Sequence, residues 1–186
     1  MSLPISDSLS ESPNGQRFLA IFGGLVVFTV GIILFGYYVR GDDRPTPQEL
    51  ANAALAKTTP TDQATAAVRL GTYGEPAAKV ELRRVLRETA LPDVRAACIE
   101  GLGKLWDYES MDLLLDAVEF GSPKVRGRAA VVITRMTGCD RRYRAEAPAA
   151  ERQRLVRFMR EDWEEIRNSP YFDDLKQRLR EGHEPN

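Results

Sequence analysis

Asp93 to Leu105 reads DVRAACIEGLGKL, Lys124 to Met136 reads KVRGRAAVVITRM, and setting one over the other decides the fold. The offset is 31 residues, and it matches Val94 to Val125, Arg95 to Arg126, Cys98 to Ala129, Leu102 to Ile133 and Leu105 to Met136. Apolar residues three and four apart mark one face of a helix, so each stretch is read as an amphipathic helix. An earlier stretch from Ala66, AAVRLGTYGEPAAKVELRRVL, sets Leu70-Gly71 against Leu102-Gly103 at a spacing one residue longer. At least three units are therefore present. A unit of this size cannot bury its apolar face alone, and stacking on its neighbours supplies the core of an α-solenoid.

Working outward, Met111, Leu114, Leu115 and Val118 form a second stripe, read as the hairpin partner of the helix from Asp93. Upstream, Thr46-Pro47-Gln48-Glu49 places an N-cap, a first-turn proline and a capping-box glutamate in order. Thr59, Pro60 and Asp62 start the next helix by much the same device. Downstream of Met136 comes a longer loop, then a closing helix with Leu155, Phe158, Met159, Trp163 and Ile166 on one side. A last piece follows around Phe172, Leu175 and Leu179.

Ahead of the repeats, Phe18 to Val39 reads FLAIFGGLVVFTVGIILFGYYV without a charge. As a helix it is about 33 Å long against a hydrocarbon core of about 30 Å. Its 14 Leu, Ile, Val and Phe residues favour insertion. Asp7 and Glu11 precede it, and no small-x-small cleavage site follows, so an uncleaved anchor is expected in place of a signal peptide. Ala20 and Gly24 form one small-xxx-small pair, a motif common in spanning helices. Arg40 and Arg44 against Arg17 lean the repeat domain slightly toward the cytoplasm, leaving the side of the membrane open. The expected layout is an N-terminal tail over 1–17, a single transmembrane helix over 18–39, a linker over 40–46, a helical repeat domain over 47–180 and a tail over 181–186. The fold class is all-α.

The two quoted motifs resemble the short HEAT-like repeats of the bacterial, PBS-lyase type, over roughly residues 62 to 136. The stretch from Thr137-Gly138-Cys139-Asp140 to a helix ending near Trp163 is similar to the closing segment of some bacterial HEAT-repeat proteins. The resemblance implies hydrogen bonding between the repeat-start acid and the arginine two positions on in neighbouring units. Here that means Asp93, Arg95 and Arg126, with Lys124 standing where the second acid would be. The tetratricopeptide signature of Trp, Leu-Gly, Tyr and Pro is not met in order. Some relatives of this type act as bilin lyases, but this chain offers no histidine or pocket residue for such work.

The chemistry in the sequence points away from catalysis. The lone histidine, His183, lies in the polar tail, and Cys98 and Cys139 are too far apart for a CxxC motif. No metal site, cofactor or catalytic residue is expected. Glu164-Glu165 and Asp173-Asp174 are adjacent on helices and read as solvated faces. Cys98 falls on an apolar stripe, and Cys139 lies among arginines that could lower its pKa, although a structural or incidental role is the stronger expectation.

The formal net charge of −1 hides an uneven layout. Lys124, Arg126, Arg128, Arg135, Arg141, Arg142, Arg144, Arg152, Arg154, Arg157 and Arg160 crowd one stretch. Asp107, Glu109, Asp112, Asp116 and Glu119 make the preceding unit acidic. Such a field either recruits an acidic partner or is neutralised between neighbouring units. The expectation is a non-enzymatic, membrane-tethered scaffold that binds an as yet unidentified protein through Arg128, Arg135, Arg141, Arg142 and Arg144. Lipid contact is expected through 18–39. The alternative is binding of anionic lipid or nucleic acid through 124–160, with nucleic acid the less expected of the two.

Overall fold

The computed structural model describes residues 44–74 and 76–182. The transmembrane helix expected over 18–39, the tail before it, most of the linker and His183 lie outside the described residues. Among those residues no helix is long and apolar enough to cross a membrane, and eight α-helices account for the fold. They are α1 (Pro47–Leu55), α2 (Pro60–Leu70), α3 (Pro76–Glu88), α4 (Pro92–Lys104), α5 (Met111–Phe120), α6 (Pro123–Thr137), α7 (Ala149–Arg167) and α8 (Phe172–Glu181), with a 3₁₀ turn at Tyr108–Ser110.

The starts follow from local chemistry. Thr46 caps α1 through a complete capping box, its backbone N–H donating to Glu49 at 2.7 Å while its hydroxyl accepts from the Glu49 N–H at 3.2 Å. Thr59 and Ser122 cap α2 and α6 in the same direction. Proline, which has no N–H to leave orphaned, opens α1, α2, α4 and α6.

The helices pair as α1 with α2, α3 with α4 and α5 with α6. One layer holds α1 against α3 and α5 against α7, and the other runs α2, α4, α6, α8 in continuous contact. This corrects the hairpin read from the sequence, because α4 packs on α3 and hardly meets α5. The 31-residue offset relates α4 to α6, two second-layer helices, so the unit begins half a repeat earlier than its most legible motif. Leu82, Leu86, Ile99, Leu102, Leu114, Leu115, Ile133 and Met136 are buried between the layers. Burying each such side chain stabilises the fold by about 1.5–3 kcal/mol.

Two devices recur in register. Gln63, Arg95 and Arg126 occupy one position of α2, α4 and α6. Each donates to a carbonyl at the end of the preceding first-layer helix: Gln63 to Ala56, Arg95 to Thr89 at 3.5 Å, and Arg126 to Gly121 at 3.0 Å. The Thr89 and Gly121 carbonyls lie past the last turn of their helices, where the arginine charge also complements the helix dipole, whereas Ala56 accepts from the Thr58 N–H as well. The repeat arginines thus staple their own hairpins and do not bond to a neighbour's acid, as the resemblance implied. Asp93 instead meets Lys124 at 2.6 Å. The second device is a left-handed residue after α2, α4 and α6, at Gly74 (φ 68°), Trp106 (φ 49°) and Gly138 (φ 74°).

The turn at Trp106 carries Asp107, which is 3% exposed. Arg83 of α3 approaches it at 3.5 Å and also pairs with Glu109. Burial pushes the Asp107 carboxyl above the usual aspartate range, outweighing the pull of Arg83, Lys79 and the Ser110 hydrogen bond, while Glu109 adds to the rise. An acid raised in the folded state contributes stability that is present below its unfolded pKa, about 3.9, and is lost as pH rises through the folded value. Asn cannot titrate. The wild type is therefore expected to gain stability relative to Asp107→Asn as pH falls from neutrality toward about 4. Thermal unfolding of both proteins across that window checks this, and parallel pH profiles would contradict it.

The closing helices cap the array. Val156, Met159 and Trp163 of α7 are buried, while Phe158 is 39% exposed, so the buried face is turned from the one read in the sequence. Trp163 and Phe172 join Tyr108 in an aromatic cluster, with ring centroids 5.3–6.4 Å apart. The outward side of α8 is polar, with Asp173, Asp174, Gln177 and Arg178 exposed, as a terminal unit requires.

Candidate functional site

The second layer presents one continuous solvent face, and the register of the repeats sets its composition. Asp93, Ala97, Glu100 and Lys104 lie along α4, and Lys124, Arg128, Val131 and Arg135 lie 31 residues further on along α6. The bond between Asp93 and Lys124 confirms that residues so related are neighbours. Glu100 is then opposite Val131 and reaches one turn in each direction, to Arg128 at 3.2 Å and Arg135 at 3.4 Å. Val131 is 61% exposed between these two arginines. Lys104 is exposed at the Arg135 end of the face. The Nε and Nη2 of Arg135 are shielded from solvent and find no acceptor.

Close helix approach brings this face together. A Cβ on Gly71 would lie 2.8 Å from the Cα of Gly101, so α2 and α4 touch backbone to backbone. A Cβ on Gly103 would meet Val132 at 2.7 Å and collide with the Arg135 guanidinium, which fixes α6 beside α4.

The five arginines read as a partner site fall into two groups. Arg128 and Arg135 share Glu100 on the α6 face. Arg141, Arg142 and Arg144 sit in the loop before α7, which runs back along that helix. Arg141 grips Asp162 with two hydrogen bonds and lies over the Phe158 ring, 5.7 Å from its centroid. Arg144 meets Glu151 at 2.9 Å. Arg142 adopts a left-handed backbone (φ 49°), its amide donates to Asp140 at 2.7 Å, and its side chain is exposed. The loop is held from below by Tyr143, whose hydroxyl donates to the Val118 carbonyl at 3.2 Å, and by Arg126, which donates to that of Ala145 at 2.8 Å.

Neutralisation between units is therefore extensive. Arg160 pairs with Asp116 and Glu119 of the acidic unit, each at 2.8 Å. Other partners, Asp93, Glu100, Glu151 and Asp162, come from elsewhere. Glu100, Lys104 and Val131 are the members of the face that the sequence reading missed. The signal was available in the 31-residue register, which names the residue facing each arginine one unit back.

No catalytic constellation assembles among the described residues, and no three His, Cys, Asp or Glu residues there are placed to hold a metal ion. Glu164 and Asp173 pair with Arg167 and Lys176 on their own helices. A groove of about 300 Å³ beside α8 is lined by Cys139, Asp162, Ile166, Tyr171, Phe172 and Leu175. The Cys139 thiol is pushed up by burial and by Asp162, against a weaker pull from Arg141, which reverses the activation its arginine-rich setting suggested. Burial pushes Cys98 up to about 12. With iodoacetamide at neutral pH, Cys139 is expected to label slowly and faster as pH rises, and Cys98 only after unfolding. Rapid labelling of Cys139 at neutral pH would contradict this.

Compared with known families, residues 47–134 match the family model for HEAT repeats. The matched span begins at the first residue of α1 and ends three residues short of the end of α6, so it covers the three hairpins. The match supports a HEAT-like repeat protein, and HEAT repeats generally act as protein-interaction scaffolds. No curated protein and no solved structure matches the chain significantly.

Proposed function

We propose that this chain is a membrane-tethered HEAT-repeat scaffold that binds a protein partner at the membrane surface and catalyses nothing itself. The observation that carries the reading is the second-layer face of α4 and α6, where helices stacked in a fixed register display charged and apolar side chains on a rigid support. Rigid, extended surfaces of this kind suit protein recognition. The step from repeat architecture to binding is an analogy across folds. The tether rests on the uncharged stretch over 18–39, which has the length and composition of one crossing. The charge count still leans the repeat domain toward the cytoplasm.

Binding of anionic lipid or nucleic acid through 124–160 is the weaker reading, because Lys124, Arg128, Arg135, Arg141, Arg144 and Arg160 all have carboxylate partners within the chain. A polyanion would have to displace them, and its binding would fade steeply with salt. The test is crosslinking in intact membranes followed by mass spectrometry. Repeated recovery of one defined protein is the expected result. Recovery of lipid or nucleic acid adducts alone, or of nothing specific, would overturn the scaffold reading.

A further inference from the structure

The partner's chemistry is written into the α4–α6 face, and reading it rests on the scaffold function proposed above. Three cations, Lys104, Arg128 and Arg135, surround the single carboxylate of Glu100, since Asp93 is already taken by Lys124. Glu100 is divided between two guanidiniums at 3.2 and 3.4 Å, and Lys104 has no ion pair among the described residues. Arg135 is the under-bonded member. Its Nε and Nη2 have no acceptor among the described residues, while its side chain as a whole keeps 24% of its exposure. A guanidinium offers five donors in a planar fork matched to a carboxylate, and donors left unmade in the interior cost free energy. Beside it, Val131 stands out of the face.

We propose that Lys104, Arg128, Val131 and Arg135 form the docking site for an acidic segment of the partner protein. Partner carboxylates pair with Lys104 and Arg128, the exposed cations at the two ends of the face, Arg135 adds its charge between them, and an apolar neighbour in the same segment covers Val131. The face favours a peptide over a phosphate backbone or an anionic bilayer for a local reason. Asp93, 57% exposed, and Glu100, 27% exposed, are set among the cations and repel a continuous run of negative charge while leaving room for single carboxylates.

The experiment places a photo-crosslinking amino acid at Val131 of the full chain in intact membranes, with a second version at Val80, which is 56% exposed on α3 of the other layer. The probe at Val131 is expected to trap a protein segment rich in Asp and Glu. Arg128→Gln with Arg135→Gln should cut the yield at least tenfold, while Arg87→Gln, at an exposed position on α3 of the other layer, leaves it unchanged. If the double variant melts early, Arg128→Gln alone carries the comparison, because that side chain is 51% exposed. A trapped segment without acidic residues, a lipid or nucleic acid adduct, or a yield indifferent to the substitutions overturns the site. Trapping at Val80 alone overturns the site and leaves the scaffold standing. Trapping at neither position overturns both.

Discussion

Arg126→Ala is expected to destabilise the repeat domain by about 3 kcal/mol, the loss of two charge-assisted hydrogen bonds to backbone carbonyls. The side chain donates to Gly121 at 3.0 Å and to Ala145 at 2.8 Å. It thus closes the α5–α6 hairpin and pins the loop that carries Arg141, Arg142 and Arg144. A drop of roughly 10 °C in Tm should accompany the loss. Arg95→Ala is the internal comparison. Its one bond, to Thr89 at 3.5 Å, is long, and less than about 1 kcal/mol should be lost. Chemical denaturation of both variants measures the difference, and equal losses would show that register position alone, and not the carbonyl contacts, sets the effect.

Gly101→Val is expected to cost about 3 kcal/mol, the upper end for overpacked cores. Even a Cβ at this position falls 2.9 Å from the Cα of Gly71 and 3.1 Å from Leu82, so α2 and α4 must separate to admit it. Space, and not the loss of a helical glycine, decides the sign. Gly127 of α6 shows the contrast, because a Cβ there meets only Ala145, at 3.7 Å. Gly127→Ala should therefore stabilise the protein by up to about 1 kcal/mol through helix propensity. Thermal unfolding of the two variants tests the pair. A Gly101 variant as stable as wild type would mean that the helices are not in backbone contact.

Much of the array was legible in the sequence. Thr46 and Thr59 announced their helices through caps, and the offset between Val94 and Val125 gave the register that Asp93 and Lys124 then display. The hairpin phase was not legible from periodicity, which tells which residues face inward but not which helix they meet. Connector length held that information. Thr89 to Leu91 and Gly121-Ser122 are too short for anything but tight hairpins, whereas Leu105 to Ser110 separate α4 from α5.

The site was less legible than the fold. Arginine crowding was visible along the chain, but its neutralisation depends on carboxylates far away in sequence, such as Asp162 for Arg141 and Asp116 for Arg160. The reactivity of Cys139, left open by the sequence, is decided by the same kind of distant contact, since Asp162 approaches from α7 and burial outweighs the loop's cations.

On the proposed function, the apolar stretch over 18–39 and the repeat array act together as a scaffold at a membrane, so removing that stretch separates the tether from the binding face. Protein captured by crosslinking from intact membranes is quantified for the full chain and for a chain lacking residues 18–39, with circular dichroism verifying that the repeat domain of each is folded. A defined protein should be captured by the full chain, and its yield should fall at least tenfold when residues 18–39 are removed. Equal capture by both chains, or the absence of any defined protein from the full-chain sample, would contradict it.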